Sequence, residues 1–164
     1  MGEDGESLPS RIQMKILLIA MAVFSLVSCA FPRVYLIDDP LTAAQHNELG
    51  YIYEGQGKYE LAEREYRHAI KKEKNWAVPY FNLGNVYFKK GDGTKAEEYY
   101  RKALQRDSNN PDIMNNLAYL LCELGQYLEA EKWIAGALSI SAKEEYLDTQ
   151  KRIFSRKYPA SPCP

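Results

Sequence analysis

Histidine and cysteine are scarce in this chain: two of the first and three of the second among 164 residues. Three cysteines cannot frame a disulfide-held mini-protein. The histidines, His46 and His68, fall on different predicted helices with no cysteine or carboxylate at ligand spacing, so no metal site is expected. A surplus of charge is missing too. The 21 basic and 22 acidic residues leave a formal charge of −1, so no nucleic-acid partner is expected, because phosphate binding needs clustered excess Lys and Arg. Nor is there the run of about 20 apolar residues that a membrane-spanning helix requires. What the chain does have is an ordinary globular balance, 46% apolar and 26% charged, which excludes disorder throughout, and an aromatic set dominated by 13 Tyr.

The longest uncharged apolar run is Ile16–Val27, twelve residues preceded by Arg11 and Lys15. That is too short to span a bilayer but suits a signal-peptide core. Directly after it stands Leu26-Val27-Ser28-Cys29, which resembles a bacterial lipobox. The resemblance implies cleavage before Cys29, lipidation of its thiol and anchoring by more than one acyl chain. Residues 1–28 are thus expected to be removed, leaving a mature chain with 19 basic and 19 acidic groups. Glu3, Asp4 and Glu6 are foreign to a signal n-region, and Met14-Lys15 makes a cleaner start. Residues 29–41 read as the lipidated N-terminus and an extended linker, with Pro32 and Pro40 opposing helix. The residue after Cys29 is Ala30 rather than Asp, which by resemblance favours the outer membrane, facing the periplasm.

The chain then repeats itself. The windows 43–76, 77–110 and 111–144 share Leu49, Leu83 and Leu117 at the seventh place and Gly50, Gly84 and Ala118 at the eighth. Further on, Gly57, Gly91 and Gly125 match, as do Ala62, Ala96 and Ala130, then Tyr66, Tyr100 and Ile134, then Ala69, Ala103 and Ala137. Spacings of three and four predict an amphipathic helix in each half-window. The shared glycines predict left-handed caps between the halves, Asp92 is a candidate N-cap, and Pro111 suits a first turn. Small residues predict close helix approach, and large ones fill the seams. This 34-residue pattern resembles the tetratricopeptide repeat, TPR. The expected fold is all-α: a right-handed TPR solenoid of three helix-turn-helix repeats, closed by a capping helix over 142–157 and followed by a disordered tail, 158–164. Ser141-Ala142-Lys143-Glu144 reads as a capping box for that last helix. His46 departs from the family pattern, which has a large apolar residue at its place.

The search for chemistry returns little. Gly91-Asp92-Gly93-Thr94-Lys95 lacks the order of a phosphate loop and sits at an inter-helix turn. Cys122 reads as a buried, inert thiol. His68 and the pairs Glu63/Glu65 and Glu97/Glu98 read as solvated outer faces. No catalytic constellation, cofactor site or small-molecule substrate is expected. In the resembled family the first helices line a concave groove. That assigns Asn47, Tyr51, Phe81, Asn82, Asn85, Phe88, Asn115, Asn116 and Tyr119 to a partner-binding face, with Asp112 and Cys122 beside them. Amides that both donate and accept suit a peptide backbone, and aromatic rings add rigid apolar area. No basic residue falls on those places, so a clamp for a C-terminal carboxylate is not expected and binding should depend little on salt. The functional expectation is a non-catalytic, lipid-anchored scaffold of the bacterial envelope that holds a peptide or helix of another protein. The alternative is a soluble cytosolic co-chaperone or adaptor.

Overall fold

The computed structural model describes residues 39–159 and, ahead of them, helical positions 11, 12, 14–16, 18 and 19. Cys29, the lipobox, most of the linker and residues 160–164 lie outside the described residues. From Ala43 onward the chain forms α1 (Ala43–Gly55), α2 (Tyr59–Lys72), α3 (Ala77–Lys89), α4 (Gly93–Leu104), α5 (Pro111–Glu123), α6 (Tyr127–Ile140) and α7 (Glu144–Lys157). The helices pack as consecutive pairs, α1 on α2, α3 on α4 and α5 on α6, each pair touching the next, with α7 on both α6 and α5. This is the expected all-α repeat array.

Three identical turns set the geometry of the pairs. Gly57, Gly91 and Gly125 have φ of 71°, 77° and 77°, a region where a side chain is penalised. After each first helix the glycine N–H donates to the carbonyl three residues back (Glu54, Phe88 and Cys122), and the next N–H reaches five back: Lys58 to the Tyr53 carbonyl at 2.9 Å, Asp92 to Tyr87 at 2.9 Å and Gln126 to Leu121 at 2.8 Å. This Schellman pattern satisfies carbonyls that a helix end leaves orphaned. Asp92 then caps α4 through the Lys95 N–H, and Asn110 caps α5 ahead of Pro111.

Close approach within a pair has a specific partner. A Cβ placed on Gly50 would lie 2.7 Å from the Tyr66 ring, and one on Gly84 would lie 2.4 Å from the Tyr100 ring. The ring therefore occupies the space that a glycine leaves open. In the third pair both members change together, to Ala118 and the smaller Ile134. Ala62, Ala96, Ala103, Ala130 and Ala137 are fully buried between helices. The core is continuous from Ala62 and Tyr66 through Leu83, Leu117 and Leu121 to Tyr146 and Ile153.

The closing helix differs from expectation in two respects. Ser141 does not cap α7: it is the C-cap of α6, which runs on to Ile140, while Lys143 precedes α7 with no side-chain cap. The capping box that does form is Thr42 with Gln45 at the start of α1. Secondly, α7 buries Tyr146 and Ile153 but leaves Leu147 40% and Phe154 62% exposed, so only half of its apolar stripe covers the array.

Candidate functional site

Asn85 and Phe88 stand on α3, and Asn115, Asn116 and Tyr119 on α5, all on the sides that face the same groove. Helical spacing puts Asn85 and Phe88 one turn apart on α3. Together with Glu54, Lys89 and Tyr100 they line a pocket of about 330 Å³. A larger cleft of about 470 Å³ lies at the closing helix, against Ile134, Ile153 and Phe154. The smaller pocket carries the amides and the aromatic pair, and so offers more to recognise.

The amides form a ladder between repeats. Asn82 Nδ2 donates to Asn47 Oδ1 at 3.0 Å, and Asn116 Nδ2 donates to Asn85 Oδ1 at 3.1 Å. Asn85 Oδ1 also accepts from the Tyr100 hydroxyl at 2.8 Å. These four asparagines therefore link neighbouring first helices, α1 to α3 and α3 to α5. Asn115 Nδ2 leans on Asn116 Oδ1 at 3.4 Å, while Asn115 Oδ1 is buried with no hydrogen-bond partner. A buried acceptor left unpaired costs about 1–3 kcal/mol, and an N–H donor arriving in the groove would remove that cost. The wall beside it is the edge-to-face pair Phe88 and Tyr119, with centroids 5.8 Å apart.

Five of the nine sequence-predicted residues line this pocket. Asn85, Phe88, Asn115, Asn116 and Tyr119 meet in the pocket. Asn47 and Asn82 pair on the first-helix side of repeats one and two, Phe81 packs its ring against Tyr100 at 5.9 Å, and Tyr51 stands 67% exposed. Asp112, expected beside them, is taken by the closing helix: Lys143 Nζ lies 2.6 Å from its carboxylate and the Tyr146 hydroxyl donates to the same oxygen.

The sequence pattern places Glu54 on this face as well, but it did not assign Lys89 or Tyr100 to it. Glu54 is buried and accepts from the Tyr66 hydroxyl at 2.7 Å and from Lys89 Nζ at 2.8 Å. Burial, and then the Glu54 carboxylate, push the Tyr66 hydroxyl well above the ordinary tyrosine range. Lys89 brings a cation to a face expected to have none, but its charge is matched by Glu54. The signal lay at the places just after the aromatic stripe, where Glu54 and Lys89 end their helices.

Two other expectations are corrected at the first repeat. Glu65 is not solvated but buried. Its Oε2 lies 2.9 Å from His46 Nδ1 and its Oε1 is 2.9 Å from Arg64 Nη2. The two histidines, expected apart, stack with centroids 5.0 Å apart and planes 24° from parallel. Cys122 is fully buried, and burial pushes its thiol up, as an inert core cysteine requires.

Sequence profiles described as tetratricopeptide repeat match residues 77–110 and 99–132, and one described as TPR repeat matches residues 50–91. Among solved structures, the first TPR of Spaghetti (RPAP3) bound to the HSP90 peptide SRMEEVD superposes with a TM-score of 0.66 at 21% identity, covering 69% of this chain and 90% of that one. The Arabidopsis OM64 TPR domain gives 0.66 at 21%, over 69% of this chain and 94% of that one. The Yersinia enterocolitica type III secretion chaperone SycD, in complex with a peptide of the translocator YopD, gives 0.60 at 23%, over 69% and 87%. At these identities the likeness is one of fold alone. No curated protein matches the sequence.

Proposed function

Because this chain belongs to the tetratricopeptide-repeat family, we propose that it is a lipid-anchored scaffold of the bacterial cell envelope whose groove holds an extended peptide or a helix of another protein. The observation that carries the binding half of this reading is the pocket on α3 and α5. It sets the orphan acceptor of Asn115 beside the Phe88–Tyr119 pair. An acceptor beside an aromatic wall suits a peptide N–H followed by an apolar side chain. The solved neighbours named above that carry peptides support the class of ligand, though not its sequence. A carboxylate-ended ligand fits less well, because Lys89 already neutralises Glu54.

The anchoring half rests on Leu26-Val27-Ser28-Cys29 after a twelve-residue apolar run. Lipid on Cys29 would tether the array by its N-terminus, and the absence of Asp after Cys29 favours the outer membrane. Among the described residues no helix is long and apolar enough to cross a bilayer; on this reading the lipid on Cys29 supplies membrane affinity. The scaffold is non-catalytic.

Two measurements test the halves separately. Palmitate labelling should be lost in Cys29→Ser, with the protein released or left as precursor; unchanged labelling and fractionation sink the anchor. Photo-crosslinking from a probe residue in place of Phe88 should trap a partner that a probe at exposed Lys132 does not. The yield should fall in the double variant Asn85→Ala/Tyr119→Ala with helix content intact, since losing an aromatic anchor costs more than about 1 kcal/mol. Undiminished trapping moves the site off the groove.

A further inference from the structure

The buried histidine of the first repeat is not used by the groove. His46 occupies a place where the repeat pattern expects a large apolar side chain, yet it is only 3% exposed. Its Nδ1 lies 2.9 Å from Glu65 Oε2, and Glu65 is itself 5% exposed. On the other oxygen of Glu65 sits Arg64. The next residue outward from this chain of contacts is His68, stacked on His46.

We infer that His46 and His68 together form a two-histidine site for a divalent ion of the zinc, nickel or copper class, bridging α1 and α2. A ligand nitrogen of one ring lies within 4.8 Å of a ligand nitrogen of the other. Two nitrogens each about 2.0–2.1 Å from one tetrahedral ion stand roughly 3.3 Å apart, so modest rotation of the partly exposed His68 closes the pair. Glu65 makes His46 a prepared ligand. Its carboxylate oxygen, 2.9 Å from Nδ1, is placed to accept from that nitrogen, which makes Nε2 the ligand atom, an arrangement usual for a metal-bound imidazole. Imidazole nitrogens select borderline transition ions over magnesium or calcium, which take oxygen. The inference is independent of what the groove binds and of whether Cys29 carries lipid.

The test uses the full chain in detergent, stripped with chelator. Thermal melts are compared without metal and with saturating zinc, nickel or copper chloride, and with magnesium chloride as control. The first three should raise Tm by about 5 °C or more, and magnesium should not. Equilibrium dialysis should find one zinc ion per chain lost on His68→Asn, and each variant is read against its own metal-free melt. Because His46 is buried and its replacement risks the fold, Glu65→Gln provides the second variant: it keeps the shape of Glu65 and should weaken zinc binding about tenfold or more. No metal-dependent rise in the unsubstituted chain overturns the site. So does a rise that survives His68→Asn, which would put the ion elsewhere on the chain. Zinc affinity unchanged in Glu65→Gln overturns the role given to Glu65.

Discussion

Gly84 has no freedom to become anything else, although it sits in an ordinary helical conformation. A Cβ there meets the Tyr100 ring at 2.4 Å, and that ring is only 2% exposed. Gly84→Ala should cost about 1–3 kcal/mol by overpacking, and Gly50→Ala against Tyr66 should follow it. Gly55, with nothing within 4 Å of its Cβ position, gives the opposite sign: Gly55→Ala should be neutral or stabilising by up to about 1 kcal/mol. Urea melts that rank the three equally would contradict the packing described. Charge at single residues makes a second prediction. Burial pulls the Glu63 carboxyl up, but hydrogen bonds from Tyr87, Arg67 and Lys90 pull it further down, below its ordinary value of 4.5. A lowered pKa adds stability that is present above pH 4.5 and lost as pH falls through the folded value. The urea midpoint should therefore drop below pH 4.5, and less steeply in Glu63→Gln; parallel profiles would rule Glu63 out as a contributor.

At the scale of the helix, the alanines decide how near two axes come. Ala103 and Ala62 are wholly buried between partners, so Ala103→Leu and Ala62→Leu should each cost about 1–3 kcal/mol. Glu98, exposed and paired only with Lys102 one turn on, should change by no more than about 0.5 kcal/mol on replacement by Ala. Equal urea midpoints for these variants and the parent would contradict the register. That register was legible because small, large and left-handed positions impose backbone constraints that recur every 34 residues. Ser141 was not: whether a serine caps the next helix depends on where the previous one stops, and α6 runs on to Ile140. The Glu54–Lys89 contact and the histidine pair were hidden for a related reason. Glu54 meets Lys89 and His46 meets Glu65 across helices, at separations of 35 and 19 residues. Only the relative rotation of packed helices brings such pairs together, and periodicity does not specify it.

Over the whole array, stability should behave as a sum of neighbour contacts rather than as one core. A chain ended at Ser141 loses α7 and with it the buried Tyr146 and Ile153, at about 1.5–3 kcal/mol for each side chain. Its urea midpoint should fall markedly while the helices of repeats one and two keep their content; an unchanged midpoint would show that α7 closes nothing. The three glycine turns carry a different consequence. Since each pair turns on the same left-handed cap between its two helices and packs on the next pair, the length of the protein is a variable separate from its local geometry. A tandem duplication of residues 77–110 should read as one more helix pair of the same array, in register with its neighbours. An insertion of half that length should be ruinous, because it presents a first helix where a second is needed. The tolerated unit of change in this chain is then the 34-residue module, and lineages that lengthen or shorten the groove would do so in whole steps of it.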